Sequence, residues 1–323
     1  MSGAHKMLRI GSRGSELALW QSKWVENQLR RQHPGLEVTL EVIRTTGDRN
    51  LESPLSTMGD KGLFTREIEQ ALLDERIDVA VHSLKDLPTE LPAGLIIGAV
   101  SSREDVRDTF IPHPGNPVTT LLDQPKGATI ATGSLRRKCQ LLGHRPDFRI
   151  ADIRGNVSTR LRKLDESDWD GMILARAGLI RLGVEKRAGE VLPVDVMMPA
   201  VGQGAIALEV REQDRATLRM ISVIRDWMTE RATLAERALL RGLEGGCQVP
   251  IGAHAVVERD LNRTYVLQLK AVVGSLDGTS LIRGKTHGNP DLAEELGSRL
   301  ATTLLAGGAD AILTAIRGVP AAG

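Results

Sequence analysis

Residues 197–210, MMPAVGQGAIALEV, decide the fold. Gly202 and Gly204 interrupt regular structure, and the apolar run from Ala205 to Val210 reads as a strand, so the segment is a glycine-containing return into one more strand. Upstream of it lies an alternating unit. Strand ATIATGS (128–134), a helix from Ser134, strand DFRIADI (147–153), a helix from about Asn156 to Glu166, strand DGMILA (170–175) and a short helix near Ala177 follow in order. Before that unit, SSREDVRD (101–108) is a polar crossing and IPHPGNP (111–117) is loop-like. The first part has the same grammar: LRIGS (8–12), a helix from about Ser15 to Arg31, LEVTLEVIR (36–44), a helix from Thr65 to Glu75, and IDVAVHSL (77–84). Such alternation predicts parallel sheets with helices on their faces. A chain that crosses out, builds a second α/β unit and crosses back places a cleft between two lobes.

The C-terminal third has a different pattern. A helix runs up to Gly245-Gly246, then IGAHAVVE (251–258), TYVLQLKAVVG (264–274) and SLIRGKT (280–286) read as antiparallel strands, and DLAEELGSRLATTLLAG (291–307) as an amphipathic helix. The expected division is therefore 1–104 with 205–222 as a first α/β domain, 105–204 as a second, and 223–323 as a small α+β domain. The 323 residues suffice for that many cores.

Composition is that of a soluble globular chain, 41% hydrophobic and 26% charged, with a net charge of +1 that argues against a general nucleic-acid binder. Two cysteines, Cys139 and Cys247, cannot build a disulfide framework, no C-x-x-C spacing suggests a metal, and no stretch approaches the ~18 apolar residues of a membrane span. The start lacks an apolar signal core, so a reducing cytoplasm is expected. Arginine dominates the basic residues, 32 against 10 lysines. A GC-rich genome gives that total without any function; placement says more. Between Ala131 and Arg187 there are 10 Arg and 3 Lys against 7 acids, with only Phe148 and Trp169 interleaved, so a single-strand stacking platform is missing.

Three predicted helix starts carry arginine where the helix dipole disfavours it: Arg13-Gly14-Ser15, Ser134-Leu135-Arg136-Arg137 and Arg154-Gly155-Asn156. Each has a Ser or Asn to cap and a glycine nearby, the composition of an anion site; solvated surface arginines are the alternative. Leu135, Cys139 and Leu142 share one helical face, as do Val157, Leu161 and Leu164, which makes Cys139 a core residue and turns Arg154 and Arg160 outward. Arg181 joins them from the next turn. Several converging arginines imply a ligand with several negative charges. Lys85-Asp86 follows a strand, where α/β ligands bind; Asp86 stabilises a cation or moves a proton there, or the pair is an exposed turn before Pro88. Cys247, beyond the Gly-Gly that stops a helix, is either a covalent attachment point or a small buried hydrophobe. Neither a Walker A run nor a strand-linked G-x-G-x-x-G nor H-E-x-x-H is present.

RIGSRGSELALWQ (9–21), KGLFTREIEQALLDERIDVAVHSLKDLP (61–88), REDVRD (103–108), GSLRRKCQL (133–141), IRGNVSTRLRKLD (153–165), ILARAGLIRLG (173–183), VGQGAIALE (201–209) and ERALLRGLEGGCQVPIG (236–252) together resemble the porphobilinogen deaminase (hydroxymethylbilane synthase) family. The resemblance implies two lobes of the type II periplasmic-binding-protein-like α/β fold with a double crossover, plus the small C-terminal domain. It implies a transferase of tetrapyrrole and haem biosynthesis that joins four porphobilinogen molecules head to tail with release of ammonia, then frees the linear product by hydrolysis. By resemblance, Cys247 holds a dipyrromethane cofactor through a thioether, and Asp86 stabilises the pyrrole cation formed as ammonia leaves. Arg13, Ser15, Lys85, Ser134, Arg136, Arg137, Arg154, Arg160 and Arg181 match positions that bind cofactor or substrate carboxylates, and Thr132, Asn156 and Val157 lie in matching segments. Gln203 falls at the hinge, and Lys61 and Phe64 belong to a lid, STMGDKGLF (56–64). The chain departs from the family pattern at Thr57, at Ala131 and Gly133 in ATGSLRR, and at Val106. A cytoplasmic monomer is implied that hands its product to the next enzyme of the pathway and uses no metal, nucleic acid or membrane. A non-catalytic polycarboxylate-binding protein of the same fold is the competing reading, since it needs neither GGC nor SLKD; a cysteine-nucleophile hydrolase is a third, without a recognisable histidine partner.

Overall fold

The computed structural model describes residues 7–49, 64–243 and 249–317. Lys61, Thr57 and Cys247 lie outside the described residues. Chain order begins β1 (Met7–Ser12), α1 (Glu16–Gln32), β2 (Glu37–Val42), α2 (Thr46–Arg49), α3 (Arg66–Leu73), β3 (Val79–Ser83) and β4 (Leu95–Val100). The second unit holds β5 (Asp108–Pro112), β6 (Thr129–Ala131), α4 (Leu135–His144), β7 (Arg149–Ala151), α5 (Val157–Asp165), β8 (Gly171–Ala175), α6 (Arg176–Arg181) and β9 (Glu190–Val191). The return strand β10 (Ile206–Arg211) leads through α7 (Arg215–Ile221) to α8 (Trp227–Gly242), β11 (Ile251–Arg259), β12 (Tyr265–Gly274), β13 (Leu281–Gly288), α9 (Ala293–Leu304) and α10 (Asp310–Arg317).

The sheet orders are β2-β1-β3-β10-β4 and β7-β6-β8-β5-β9, with a three-stranded meander β11-β12-β13 beside them. These are two α/β lobes joined by two crossings, with a small α+β unit. The sheets are mixed rather than parallel as expected: β10 runs antiparallel to β3 and β4, and β5 antiparallel to β8. Both strands begin or end a crossing, so they enter their sheets from the opposite end to the βαβ strands. A second difference lies at Ile111 and Pro112, read as loop but found in β5. Phe110 and Ile111 are fully buried, and Pro112, the last residue of the strand, forms no ladder that needs its missing N–H.

Gly204 makes the two crossings possible. It has φ of 90°, and a Cβ there would sit 2.5 Å from Glu104 O, so only glycine lets the outgoing and returning strands touch. They are bonded along that contact, Glu104 N to Gly204 O at 3.1 Å and Ser101 N to Ile206 O at 2.9 Å.

The third unit packs α8 and α9 on its meander. Leu239, Leu269, Val273, Leu296 and Leu300 fill its core. One helical run, 290–317, is long and apolar enough to cross a membrane by length and composition, a signal the sequence reading missed. In the fold it bends at Gly308, φ 107°, and its Leu296, Leu300 and Leu304 stripe is spent on this core.

Candidate functional site

A cavity of about 510 Å³ opens between the two lobes, within the range of small-molecule sites. Its walls are the turn from β1 to α1, the ends of β2 and β3, the starts of α4 and α5, the junction of β8 with α6, and the return crossing. Among the described residues its lining holds seven cationic side chains and one carboxylate, Asp86.

The helix starts form as local chemistry dictates. Ser15 Oγ accepts from Ala18 N, Ser134 Oγ from Arg137 N, and Asn156 Oδ1 from Thr159 N at 2.8 Å, each satisfying a donor the helix leaves open. At α5, Gly155 takes φ of 117°, which turns the chain from Arg154 into the helix. Arg160 then folds back, its Nε donating to Gly155 O at 2.8 Å, and burial lowers its pKa to about 10. Arg154 lies 3.6 Å from the exposed carboxylate of Asp152. Arg181 donates to Gly204 O at 2.6 Å and stands over the Trp20 ring at 5.7 Å, a contact between the lobes; burial again lowers it to about 10.

The two adjacent arginines of α4 divide. Arg137 lines the cleft while its guanidinium holds Asp108 and Ile173 O. Arg136, expected to bind ligand carboxylates, is absent from the lining: its Nη1 donates to Asp108 Oδ2 at 2.9 Å and to Met198 O at 2.6 Å. Residues i and i+1 point about 100° apart on a helix, so one faces the cleft and the other the return crossing. Thr132 and Ser134 also stay behind the lining; Thr132 Oγ1 accepts from Ser134 N at 3.2 Å. Arg13, Ser15, Phe64, Lys85, Asp86, Asn156, Val157 and Gln203 do line the cleft with the other arginines. Phe64 lays its ring on the Arg13 guanidinium, 4.2 Å from the centroid. Cys139 is buried, and desolvation pushes its thiol up to about 11, which makes it inert core.

On lobe one, Lys85 and Asp86 leave β3 in a single 3-10 turn. Burial drives Lys85 down to about 8, Asp86 opposing and Arg137 assisting. A crowd of cations held this way is costly until an anion enters. Gln203 donates to Val106 O at 2.7 Å and Asp108 Oδ1 at 2.8 Å, tying both crossings to the arginine pair. Its Oε1 is buried and has no partner among the described residues.

Among the lining residues that sequence reasoning missed, Arg44, Ser83 and His82 bear on the chemistry. Arg44 follows the C-terminal end of β2, a position where α/β ligands gather, so its signal was readable. Ser83, which accepts from Gln21 Nε2 at 2.8 Å, stands next to the Lys85-Asp86 turn. His82 has its partner 127 positions away in Glu209, and no local pattern announces it.

A linear bis-pyrrole with acetate and propionate arms fits this donor set. The cations suit its carboxylates, and the orphan Gln203 Oε1 is an acceptor of the kind a ring N–H needs.

The family model "Porphobilinogen deaminase, dipyromethane cofactor binding domain" matches residues 8–219, and "Porphobilinogen deaminase, C-terminal domain" matches residues 231–306. Relatives include the porphobilinogen deaminase of Chlorobium phaeobacteroides, 50% identical over 97% of this chain and 98% of that one. That of Syntrophotalea carbinolica is 51% identical over 96% of each. Among solved structures, the Bordetella pertussis BvgS periplasmic VFT2 domain is matched at a TM-score of 0.41 and 14% identity, over 68% of this chain and 87% of that one. The L-cystine solute receptor of Neisseria gonorrhoeae gives 0.39 and 11%, over 75% and 94%.

Proposed function

The chain belongs to the porphobilinogen deaminase family, and from that premise we propose that the cleft between its lobes is where four porphobilinogen molecules are joined head to tail. The activity is that of a hydroxymethylbilane synthase, a transferase of tetrapyrrole synthesis that works with a dipyrromethane cofactor. That cofactor, when bound, supplies the primer for chain growth. The observation that carries the site assignment is the lining's seven cations against one carboxylate among the described residues.

Arg13, Lys85, Arg154, Arg160 and Arg181 bind the acetate and propionate groups of substrate and cofactor. Ser15 and Asn156 cap the helices that present them. Asp86 sets its charge beside the porphobilinogen ring nitrogen and lowers the barrier to the cation formed as ammonia departs. Asp86 is the single acid of the lining among the described residues, so none of those adds a second carboxylate to its field. Gln203 accepts a ring N–H and keeps the two crossings in register, while Arg136 acts through Asp108, behind the cleft. Cys247 is the attachment point, Phe64 covers Arg13, and Lys61 belongs to the same lid. The chain works as a cytoplasmic monomer and passes its labile product to the next enzyme of the pathway.

Denatured intact mass tests this reading. Protein made in a host with an intact haem pathway should carry the mass of two linked pyrroles, and Cys247→Ser should lack it. A bare chain mass for the unsubstituted protein overturns the assignment.

A further inference from the structure

A buried acid–histidine cluster opens on the cleft from lobe one. In the β3–β10 ladder His82 pairs with Ala207 and Ala80 with Glu209, so His82 and Glu209 rise on the same face of the sheet. His82 Nε2 lies 3.0 Å from Glu209 Oε2. Helix α3 covers that face and places Glu69 against it. All three groups are buried, at 5%, 0% and 7% exposure, in a layer whose other members include Ile68, Leu72 and Ala80. Glu209 Oε1 and Glu69 Oε1 have no hydrogen-bond partner among the described residues. Burial raises the Glu69 pKa, and the charge of Glu209 raises it further, against the Thr65 hydroxyl, His82 and Arg66. Glu69 is thus the member of the cluster whose ionisation is held back, by its burial and by the neighbouring charge of Glu209.

Of the three, His82 alone lines the cavity, and no residue bonds its Nδ1 among those described. The groups that face it are Glu209 from β10, Glu69 with Arg66 beyond it from α3, and Lys85 and Asp86 farther along its own segment.

The chemistry needs such a group. In each condensation the bond from the porphobilinogen methylene to its ammonium nitrogen breaks, and the electron pair leaves with ammonia. A ring carbon of the acceptor then bonds the methylene, and that carbon's C–H bond gives its electrons back to the ring, releasing one proton. A second group beside the cleft lets Asp86 stay charged against the cation while this proton moves, and His82 is a neutral nitrogen base that lines the cleft close to Asp86. We propose that His82, oriented through Nε2 by Glu209 and backed by Glu69, is the general base that takes this proton at Nδ1 and gives it to the departing ammonia, which leaves as ammonium. No outside proton donor or acceptor enters the balance.

The inference rests on the synthase reading, and its test separates the two. The proteins compared are the cofactor-loaded wild type, His82→Gln, His82→Asn and Glu209→Gln, each checked for the dipyrrole adduct by mass. Wild type without adduct or turnover sinks the synthase reading itself. With adduct present throughout, both His82 variants should lose about 10²–10⁴-fold in kcat with KM little changed, and should lose the acid limb of the kcat–pH profile. Glu209→Gln should move that limb to lower pH, because the imidazolium loses its carboxylate. Near-normal kcat, or a lower kcat with the limb unmoved, overturns the role of His82. If the variants do not fold, ¹⁵N-imidazole shifts of the wild-type protein decide: His82 must titrate at the pH of the limb, and a flat signal or one at a different pH overturns the proposal.

Discussion

Asp108 clamps Arg137 with both carboxylate oxygens, Nε to Oδ2 at 3.0 Å and Nη2 to Oδ1 at 2.8 Å, while Arg136 takes the same Oδ2 at 2.9 Å. Burial opposes the charge of Asp108, but Arg136, Arg137 and the Gln203 amide outweigh it and hold the carboxyl well below the usual range. The start of α4 is thus built on one internal anion with two cations. Asp108→Asn leaves both guanidiniums buried without it, and unfolding in urea at pH 7 should show a loss of about 3–5 kcal/mol. The sign with pH follows from the depressed pKa. The stabilisation is whole above the unfolded value near 3.9 and disappears only as pH falls through the folded one, so variant and wild type should converge in strong acid alone.

The third unit is fixed to the crossings by a second buried pair. Arg103 reaches Glu236 Oε1 at 2.7 Å and Oε2 at 3.0 Å and also donates to Gln203 O, while Glu236 accepts from Gly202 N and Ala255 N. One carboxylate thereby joins the outgoing crossing, the return crossing, α8 and β11. A double-mutant cycle of Arg103→Met and Glu236→Gln should give a coupling of about 2–3 kcal/mol, the upper end for contacting residues. Additive losses would mean that the four parts are held by packing alone.

Lys85 gives a pH signature with the same slope as Asp108, in an alkaline window. Burial lowers its pKa to about 8, so the unfolded chain binds this proton more tightly than the folded one. Its penalty to folding is complete below pH 8 and is relieved as pH rises towards the unfolded value near 10.4. On the proposed role in carboxylate binding, its grip on substrate weakens over the same climb. KM for porphobilinogen should therefore rise above pH 8 in wild type, and the rise should be smaller in Lys85→Arg, whose charge persists. Equal profiles would remove Lys85 from carboxylate binding.

The lobes and the capped helix starts were legible because their causes are local. Ser15, Ser134 and Asn156 each cap from within four residues, and alternation of strand and helix needs no partner to be read. What escaped depends on pairs distant in the chain. Arg136 and Arg137 carry the same sequence signal, and Asp108, on a strand hidden behind polar REDVRD, decides which of them reaches the cleft. His82 was passed over for the same reason, since Glu209 meets it only once the return crossing has laid β10 beside β3.

Asp86 separates attachment from turnover. It stands on the 3-10 turn after β3, exposed to the cleft, and among the described residues no hydrogen bond or ion pair ties its carboxylate to a neighbour. Asp86→Ala should consequently leave the fold intact, with a melting temperature close to wild type. Removing a fixed charge aimed at a developing cation costs on the order of 10²–10³ in kcat, by analogy with the loss of one oxyanion-hole donor. Cys247 is untouched, so the thiol remains able to accept the dipyrrole, and intact mass on protein given preformed cofactor should show it. Ammonia release measured on that loaded variant isolates the step: a normal rate would take Asp86 out of the chemistry, whereas a loaded but nearly silent enzyme places its carboxylate at the departing amine.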